Sequence, residues 1–130
     1  MESRNRLTFR ILAGKYAIAR LTADSSVPAW ASRGEFTSIT RTPEELSVVC
    51  PIENLPRDVT SPHRWTCLKL EGPFPFSMTG VLLSFIAPLS SNQIPIFAIS
   101  TFDTDYVLVQ EEHASAALDF LREAGHELGA

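Results

Sequence analysis

The sequence predicts an α+β fold in which one order of secondary structure occurs twice. From residue 65 to residue 125 the patterns run strand, helix, strand, strand, helix, and the same order with much shorter helices runs from residue 16 to residue 56. The strand pattern at residue 65 closes the first unit and opens the second. Two such units fit the ferredoxin-like βαββαβ motif, in which an antiparallel sheet carries helices on one face. We therefore predict two domains, residues 1–64 and residues 65–130.

The repeat is visible as two shifts of the sequence against itself. A shift of 49 residues places YAIARL, from Tyr16, on WTCLKL, from Trp65, and a shift of 60 places ITRTPEELSVV on ISTFDTDYVLV, so that Glu45 meets Asp105. The shifts differ by 11 residues (60 minus 49), which is about three helical turns. A duplication in which a full helix replaces a short one explains this difference, and chance similarity of two hairpins is the alternative.

The elements of the first half are short strands joined by proline-rich connections. RLTFRIL and YAIARL are strand-like, and Pro28 favours one helical turn in SSVPAWASRG because proline suits a first helical position. EFTSIT and LSVVC are the next strands, joined by RTPEE. PIENLPRDVTSPH carries three prolines, so it is predicted to be loop with a short helical turn at most.

The second half contains the stronger patterns. RWTCLKLEG alternates as a strand does, and a helix with a predicted N-cap at Ser77 and a proline at Pro88 follows it. IPIFAIS and DYVLVQ form a predicted hairpin. The last helix, HASAALDFLREAG, has a clear apolar face and is expected to end at Gly125, because glycine is the common residue after a helix C-terminus.

The composition is that of a soluble globular protein in a reducing compartment. Of 130 residues, 45% are hydrophobic and 20% charged, with a net charge of −4. No signal peptide or membrane span is recognisable, so the expected location is the cytoplasm. The basic residues of the N-terminal end do not form a cluster interleaved with aromatic residues, so nucleic acid is not an expected partner. Cys50 and Cys67 lie in apolar strand patterns and are expected to be buried thiols, with a disulfide between them as the alternative.

No constellation for catalysis is recognisable. Cys50 has no histidine near it in sequence, and His63, His113 and His126 lack the spacing of metal ligands. Phosphate-binding glycine loops are missing as well. The sequence therefore predicts a protein that is not an enzyme and has no metal or cofactor. A small enzyme with an unrecognised site is the remoter alternative.

Two segments indicate a ligand site instead. Gly80 in SMTGVL opens the backbone at a helix start, where free N–H groups bind anions. Hydroxyls and carboxylates follow the strand IPIFAIS, at the expected same end of the sheet, and suit an amino group. Together they describe an α-amino acid site, with these candidate residues: Thr79, Gly80, Val81, Ser100, Thr101, Phe102, Asp103, Thr104 and Asp105. The alternative is that the aspartates only form a turn and the glycine only packs.

These residues also carry a family resemblance. GPFPFSMTGVLLSFIAPLSSNQIPIFAISTFDTDYVLVQEEHASAALDFL resembles an ACT domain, the small ligand-binding module of amino-acid-regulated enzymes. From Tyr16 to Leu121 the chain is similar to the stand-alone tandem ACT proteins of bacteria and to the CASTOR arginine sensor. The resemblance implies a ferredoxin-like fold, no catalysis and an allosteric ligand bound between ACT units. By this resemblance, Gly80 corresponds to the family's glycine at the helix start, and Asp105 corresponds to an acidic residue in the equivalent stretch of the arginine sensor.

The sequence also departs from the arginine sensor. It has one pair of units rather than two, and Thr104 stands where the sensor has a bulkier aromatic residue, so arginine itself does not follow as the ligand. We therefore predict a non-catalytic regulatory protein that binds a small amino acid, forms a homodimer and is read by a partner protein. The alternative is a ligand-free ACT scaffold that mediates protein association.

Overall fold

The computed structural model describes residues 5–75 and 77–129, which form two compact units. In chain order the strands are β1 (Thr8–Ile11), β2 (Tyr16–Leu21), β3 (Ser38–Arg41), β4 (Leu46–Pro51), β5 (Trp65–Leu70), β6 (Ile96–Ser100), β7 (Asp105–Gln110) and β8 (Glu127–Leu128). The α-helices are α1 (Val81–Ser90) and α2 (Ala114–Glu123), and three short 3-10 helices are Ala29–Ser32, Ile52–Asn54 and Glu111–His113.

The first unit is Ala13–Trp65, and the second unit combines residues 66–129 with residues 5–12. The sequence division at 64/65 assigns β1 to the N-terminal domain, whereas in the structure β1 is a strand of the second unit. The reason is hydrogen bonding: β1 lies antiparallel to β5 and parallel to β8. A strand pattern shows that a strand forms, but its partner is chosen by long-range pairing that the local sequence does not show.

The second unit is a five-stranded sheet in the order β8–β1–β5–β7–β6. Side chains of one face pack with both helices. The strands contribute Phe9 and Leu70, and the helices contribute Phe85, Leu89 and Leu121, all fully buried. Phe9 and Phe85 meet edge to face with ring centroids 5.2 Å apart. This face explains the apolar pattern of both helices and holds the start of α1 in a fixed place beside the sheet.

The helix boundaries follow from two glycines with left-handed backbone. Gly80 has φ +75°, so the right-handed helix begins only at Val81, and the predicted N-cap at Ser77 is wrong. Pro88 lies inside α1, as predicted. After α2, Gly125 has φ +98° and its N–H donates to the carbonyl of Arg122, which confirms the predicted terminator.

His126 joins three parts of the second unit. Its buried imidazole accepts the N–H of Leu7 at Nδ1, over 3.1 Å, and its Nε2 lies 2.9 Å from the carbonyl oxygen of Ser84 in α1. Because Nδ1 accepts a hydrogen bond, Nε2 carries the ring proton and donates it to the Ser84 carbonyl. The chain just before β1, the first turn of α1 and the segment after α2 are therefore held by one side chain.

The first unit repeats the second in reduced form. Its strands lie in the order β3–β4–β2, and Tyr16 at the start of β2 pairs with Trp65. Buried Leu46, Val48 and Cys50 of β4 pack with Ala31 of the first 3-10 helix. Pro28 precedes that four-residue helix as its N-cap rather than occupying its first position.

The structure corrects the register of the repeat. The strands β2 and β5 correspond at the predicted shift of 49 residues, with six residues each. In the two hairpins, however, Arg41 faces Leu46 and Ser100 faces Asp105, so both loops have four residues and correspond at a shift of 59 rather than 60. The 3-10 helices that follow the hairpins, Ile52–Asn54 and Glu111–His113, fit the same shift. Glu45 therefore corresponds to Thr104, and the predicted match with Asp105 is wrong.

The architecture confirms the predicted α+β, ferredoxin-like class, with shortened helices in the first unit. Neither α1 nor α2, each of ten residues, is long enough to cross a bilayer, and the described part of the chain has no other α-helix.

Candidate functional site

The start of α1 and the loop between β6 and β7 line one open cavity in the second unit. Its volume is about 220 Å³. The loop side consists of the six consecutive residues 100–105, and the other side is formed by the chain that leads into α1: Phe74, Pro75, Met78 and Val81. Among the residues that the structure describes, the charged side chains in this lining are Asp103 and Asp105. The cavity therefore has an apolar wall and an acidic, hydroxyl-bearing wall.

The helix side offers free backbone N–H groups. The first N–H groups of an α-helix have no carbonyl partner within the helix. Gly80, the N-cap, makes no side-chain hydrogen bond to them, and a Cβ built on it would meet no atom within 4 Å. Glycine is required here by the positive φ, and the space around it is open as well. Val81 itself lines the cavity, so the positive end of the α1 dipole lies at the site.

The loop is closed by Thr101 rather than by the aspartates. The N–H of Thr101 donates to the carbonyl of Thr104 over 2.8 Å, and the Thr101 hydroxyl accepts the N–H of Thr104 over 3.3 Å. In the first unit Thr42 makes the same bonds to Glu45, with its N–H 2.9 Å from the carbonyl and its hydroxyl 3.2 Å from the N–H. The turn thus forms without a carboxylate.

The carboxylates are therefore not used to build the turn. Asp105 accepts a short hydrogen bond from the hydroxyl of Ser100, directly opposite it in the hairpin. The Asp103 side chain is exposed and makes no hydrogen bond or ion pair to any residue that the structure describes. Two negative charges, with no basic side chain among the described residues of the same lining, favour a cationic ligand group.

The loop is fixed to the end of β5 by close contacts. Buried Thr104 donates its hydroxyl proton to the carbonyl of Leu70 over 2.8 Å, and the N–H of Phe74 donates to the carbonyl of Asp103 over 3.0 Å. A Cβ on Gly72 would lie 2.9 Å from the Asp103 carbonyl oxygen and 3.1 Å from Thr104 Cβ. Only glycine allows this approach, so Gly72 places the acidic loop against the segment that leads into α1.

The structure brings together most of the predicted site residues. Seven of the nine line the cavity: Val81, Ser100, Thr101, Phe102, Asp103, Thr104 and Asp105. Thr79 and Gly80 are not in the lining, although they directly precede Val81. Thr104 contributes to the lining, but its hydroxyl is committed to Leu70. Three further residues of the lining, Phe74, Pro75 and Met78, were not predicted as site residues. They belong to the stiff segment GPFPFSM between strand and helix, which was the available signal.

The remaining reactive groups lie apart from the cavity. No cluster of three metal-ligating side chains occurs in residues 5–75 and 77–129. Cys50 and Cys67 are buried free thiols. Burial raises the pKa of the Cys50 thiol, and the negative charge of Glu53 adds to this effect. Cys50 is therefore held as a thiol, the unreactive form, at neutral pH.

Comparison with known proteins shows similarity over most of the chain. The family model of the ACT domain matches residues 60–123, and a separate model described as an N-terminal domain matches residues 14–58. A crystal structure of an Agobacterium tumefaciens protein is 50% identical, with a TM-score of 0.91, and the match covers 96% of this chain and 93% of that one. Aspartokinase α and β subunits share the fold at 14% identity, with a TM-score of 0.62 over 92% of this chain and 98% of that one.

Curated relatives include arginine sensors. The bovine cytosolic arginine sensor for mTORC1 subunit 1 is 28% identical over 114 residues, which are 74% of this chain and 35% of that protein. The human protein CASTOR3P is 33% identical over 91 residues, covering 60% of this chain and 56% of that protein. The chain thus spans about a third to a half of the length of these relatives.

The fold and the family models define a class of small modules with a ferredoxin-like fold. Within that class, residues 60–123 of the chain belong to the ACT-domain family. The predicted resemblance to tandem ACT proteins and to the CASTOR arginine sensor is confirmed at the level of the family.

Proposed function

We propose that the chain is a non-catalytic regulatory protein that binds a small amino acid in the cavity of the second unit. One observation carries this proposal: the start of α1 and the acidic loop 100–105 line the same cavity. An α-amino acid carries a carboxylate and an ammonium group on one carbon, so it needs an anion site and a cation site within a few ångströms. This cavity offers both.

The chemistry assigns a role to each wall. The ligand carboxylate lies at the N–H groups around Val81, where the helix dipole is positive. The ammonium group lies at Asp103 and Asp105, with the Ser100 hydroxyl as a further partner. The ligand side chain contacts the apolar wall, which includes Phe74 and Met78. A volume of about 220 Å³ lies below the usual range of drug-sized pockets, roughly 300–1,000 Å³, and suits a ligand of amino-acid size.

Regulation follows if the bound amino acid favours one arrangement of the protein. Ligand binding changes an equilibrium only through differential affinity for two states. We infer that a second copy of the chain covers the open mouth of the cavity and that a partner protein in the cytoplasm reads the liganded homodimer. The cytosolic arginine sensors among the relatives support this role.

A second function is favoured by the rim of the cavity. The side chains of Phe102 and Met78 are 79% and 42% exposed, and both line this cavity, so they place exposed apolar surface together at its rim. A scaffold that uses this rim only to associate with another protein, without a ligand, accounts for that exposure. In this case the acidic loop contributes no binding energy for amino acids.

A thermal-shift screen against the twenty proteinogenic amino acids separates the two functions. Ligand at about 100 times Kd adds ~2.7 kcal/mol to the free energy of unfolding. Asp103→Asn and Asp105→Asn remove the charges at nearly constant size and should abolish the response. Glu44→Gln, in the corresponding loop of the first unit, is the matched control and should leave it intact. No response to any amino acid at millimolar concentration would refute ligand binding and leave the scaffold.

A further inference from the structure

The site of the second unit has a topological counterpart in the first. In the second unit the cavity lies between the hairpin loop 100–105 and the segment that follows β5. In the first unit the corresponding parts are the hairpin loop 41–46 and the segment that follows β2. The contacts between these two parts show what the first unit places there.

A guanidinium group bridges them. Arg41 occupies the position of Ser100, since each is the last residue of the first hairpin strand. Its two Nη atoms donate to the carbonyl oxygens of Ala23 and Ser25, the second over 2.7 Å. Both carbonyls belong to the segment after β2. The first unit thus holds its two walls together with a cation of its own.

The groups proposed to recognise an amino acid are only partly present in the same place, where Glu44 corresponds to Asp103 and keeps a carboxylate. Leu46, which corresponds to Asp105, is apolar and fully buried. The 3-10 helix Ala29–Ser32 has only four residues and provides no helix dipole comparable to that of α1. In addition, Arg20 donates to the carbonyl of Glu44 over 2.8 Å, which fixes the hairpin loop from its other side.

We propose that Arg41 is an internal occupant of the first unit's ligand position, so that each chain binds one amino acid, in the second unit alone. The single-site statement rests on the proposed function. The occupancy by Arg41 does not, because it concerns the first unit's own contacts. The two are therefore tested separately.

Chemical rescue tests the occupancy. Arg41→Ala removes the guanidinium and should lower the thermal midpoint. Millimolar ethylguanidinium should then recover at least half of the loss, because the vacated carbonyls of Ala23 and Ser25 bind it. It should do nothing for the wild type or for Arg57→Ala, since Arg57 is exposed like Arg41 but makes no hydrogen bond to a described residue. Ethylammonium should rescue Arg41→Ala less because it lacks the planar pair of donors. Failure of ethylguanidinium to rescue Arg41→Ala overturns the occupancy.

Calorimetric titration with each of the twenty proteinogenic amino acids tests the number of sites. Every amino acid that binds should saturate at one molecule per chain, with affinity unchanged in Arg41→Ala. Saturation at two per chain, or binding that is lost in Arg41→Ala, overturns the single-site inference. Absence of all binding refutes the proposed function instead, and the rescue experiment still decides the role of Arg41.

Discussion

Substituting Gly72 by alanine tests how the acidic loop is held against the end of β5. The added Cβ would lie 2.9 Å from the carbonyl oxygen of Asp103, 3.1 Å from Thr104 Cβ and 3.2 Å from the backbone nitrogen of Phe74. Comfortable contacts between carbon atoms are about 3.5–4.0 Å. Two of the three neighbours are backbone atoms and the third is the Cβ of a buried threonine, so none can move without moving the loop.

The expected loss of stability is moderate. Overpacking at a well-packed position costs about 1–3 kcal/mol. Replacing glycine also reduces the freedom of the unfolded chain, which stabilises the folded protein by about 0.4–1 kcal/mol. The net expectation is a decrease of about 1.3 kcal/mol in the free energy of unfolding, the difference between the middles of these two ranges. The loop should also move away from the segment that leads into α1, so the response to amino acids should weaken beyond the loss of stability.

Urea unfolding at equilibrium, followed by fluorescence, measures the first effect, and a constant m-value shows that the unfolded state is unchanged. Gly14→Ala is the matched control: no atom lies within 4 Å of its Cβ, and φ is +76°. It should lose stability through backbone strain alone and keep the response to amino acids. A Gly72→Ala variant within about 0.5 kcal/mol of the wild type, with an unchanged response, would refute the argument.

Three further predictions concern single groups. Thr104→Val leaves the carbonyl of Leu70 without its buried donor and should lower the free energy of unfolding by about 1–3 kcal/mol. Thr104→Ser keeps the hydroxyl and should recover part of this loss in the same urea assay. Equal stability of the valine and serine variants would contradict this. His126→Phe removes both hydrogen bonds of the buried ring and should lower the free energy of unfolding by about 2–4 kcal/mol. The control His113→Phe should lower it little, and equal losses in the two variants would contradict this prediction. The pKa of the Cys50 thiol is raised in the folded state. The contribution of this group to the free energy of unfolding is therefore complete below the ordinary thiol pKa and is lost as pH rises through the raised pKa. Under reducing conditions the stability of the wild type should therefore fall more steeply with alkaline pH than that of Cys50→Val, and parallel curves would exclude the effect.

Local patterns predicted most of the fold. The alternation in WTCLKL and DYVLVQ identified β5 and β7, and Gly125 marked the end of α2, because these signals depend only on neighbouring residues. The start of α1 was misplaced at Ser77, since a serine is a common cap and nothing in the sequence reveals the left-handed backbone of Gly80. The membership of β1 in the second unit depends on its pairing with strands far along the chain, and the local sequence does not show this pairing either.

The candidate site also has features that the sequence could predict and features that it could not. Its acidic loop and helix start were recognisable from residue type, because carboxylates, hydroxyls and a glycine in these settings have few common structural uses. Their mutual approach depends on Gly72 and on the hydroxyl of Thr104, whose partners are fixed only by tertiary packing. The register of the repeat was off by one residue because apolar residues in both hairpins tolerate either alignment.

The pairing of β1 with β5 makes the first unit an insertion between two paired strands. The two strands lie antiparallel, with the N–H of Leu12 bonded to the carbonyl of Cys67. They therefore form a hairpin whose connection contains nearly all of the first unit, Ala13–Trp65. Closing a flexible loop of this length costs more entropy than closing a tight turn, though the cost grows only with the logarithm of length. An insert that folds first holds its own ends in place and removes much of that cost. During synthesis on the ribosome, the first unit can therefore act as the template that brings β1 to β5.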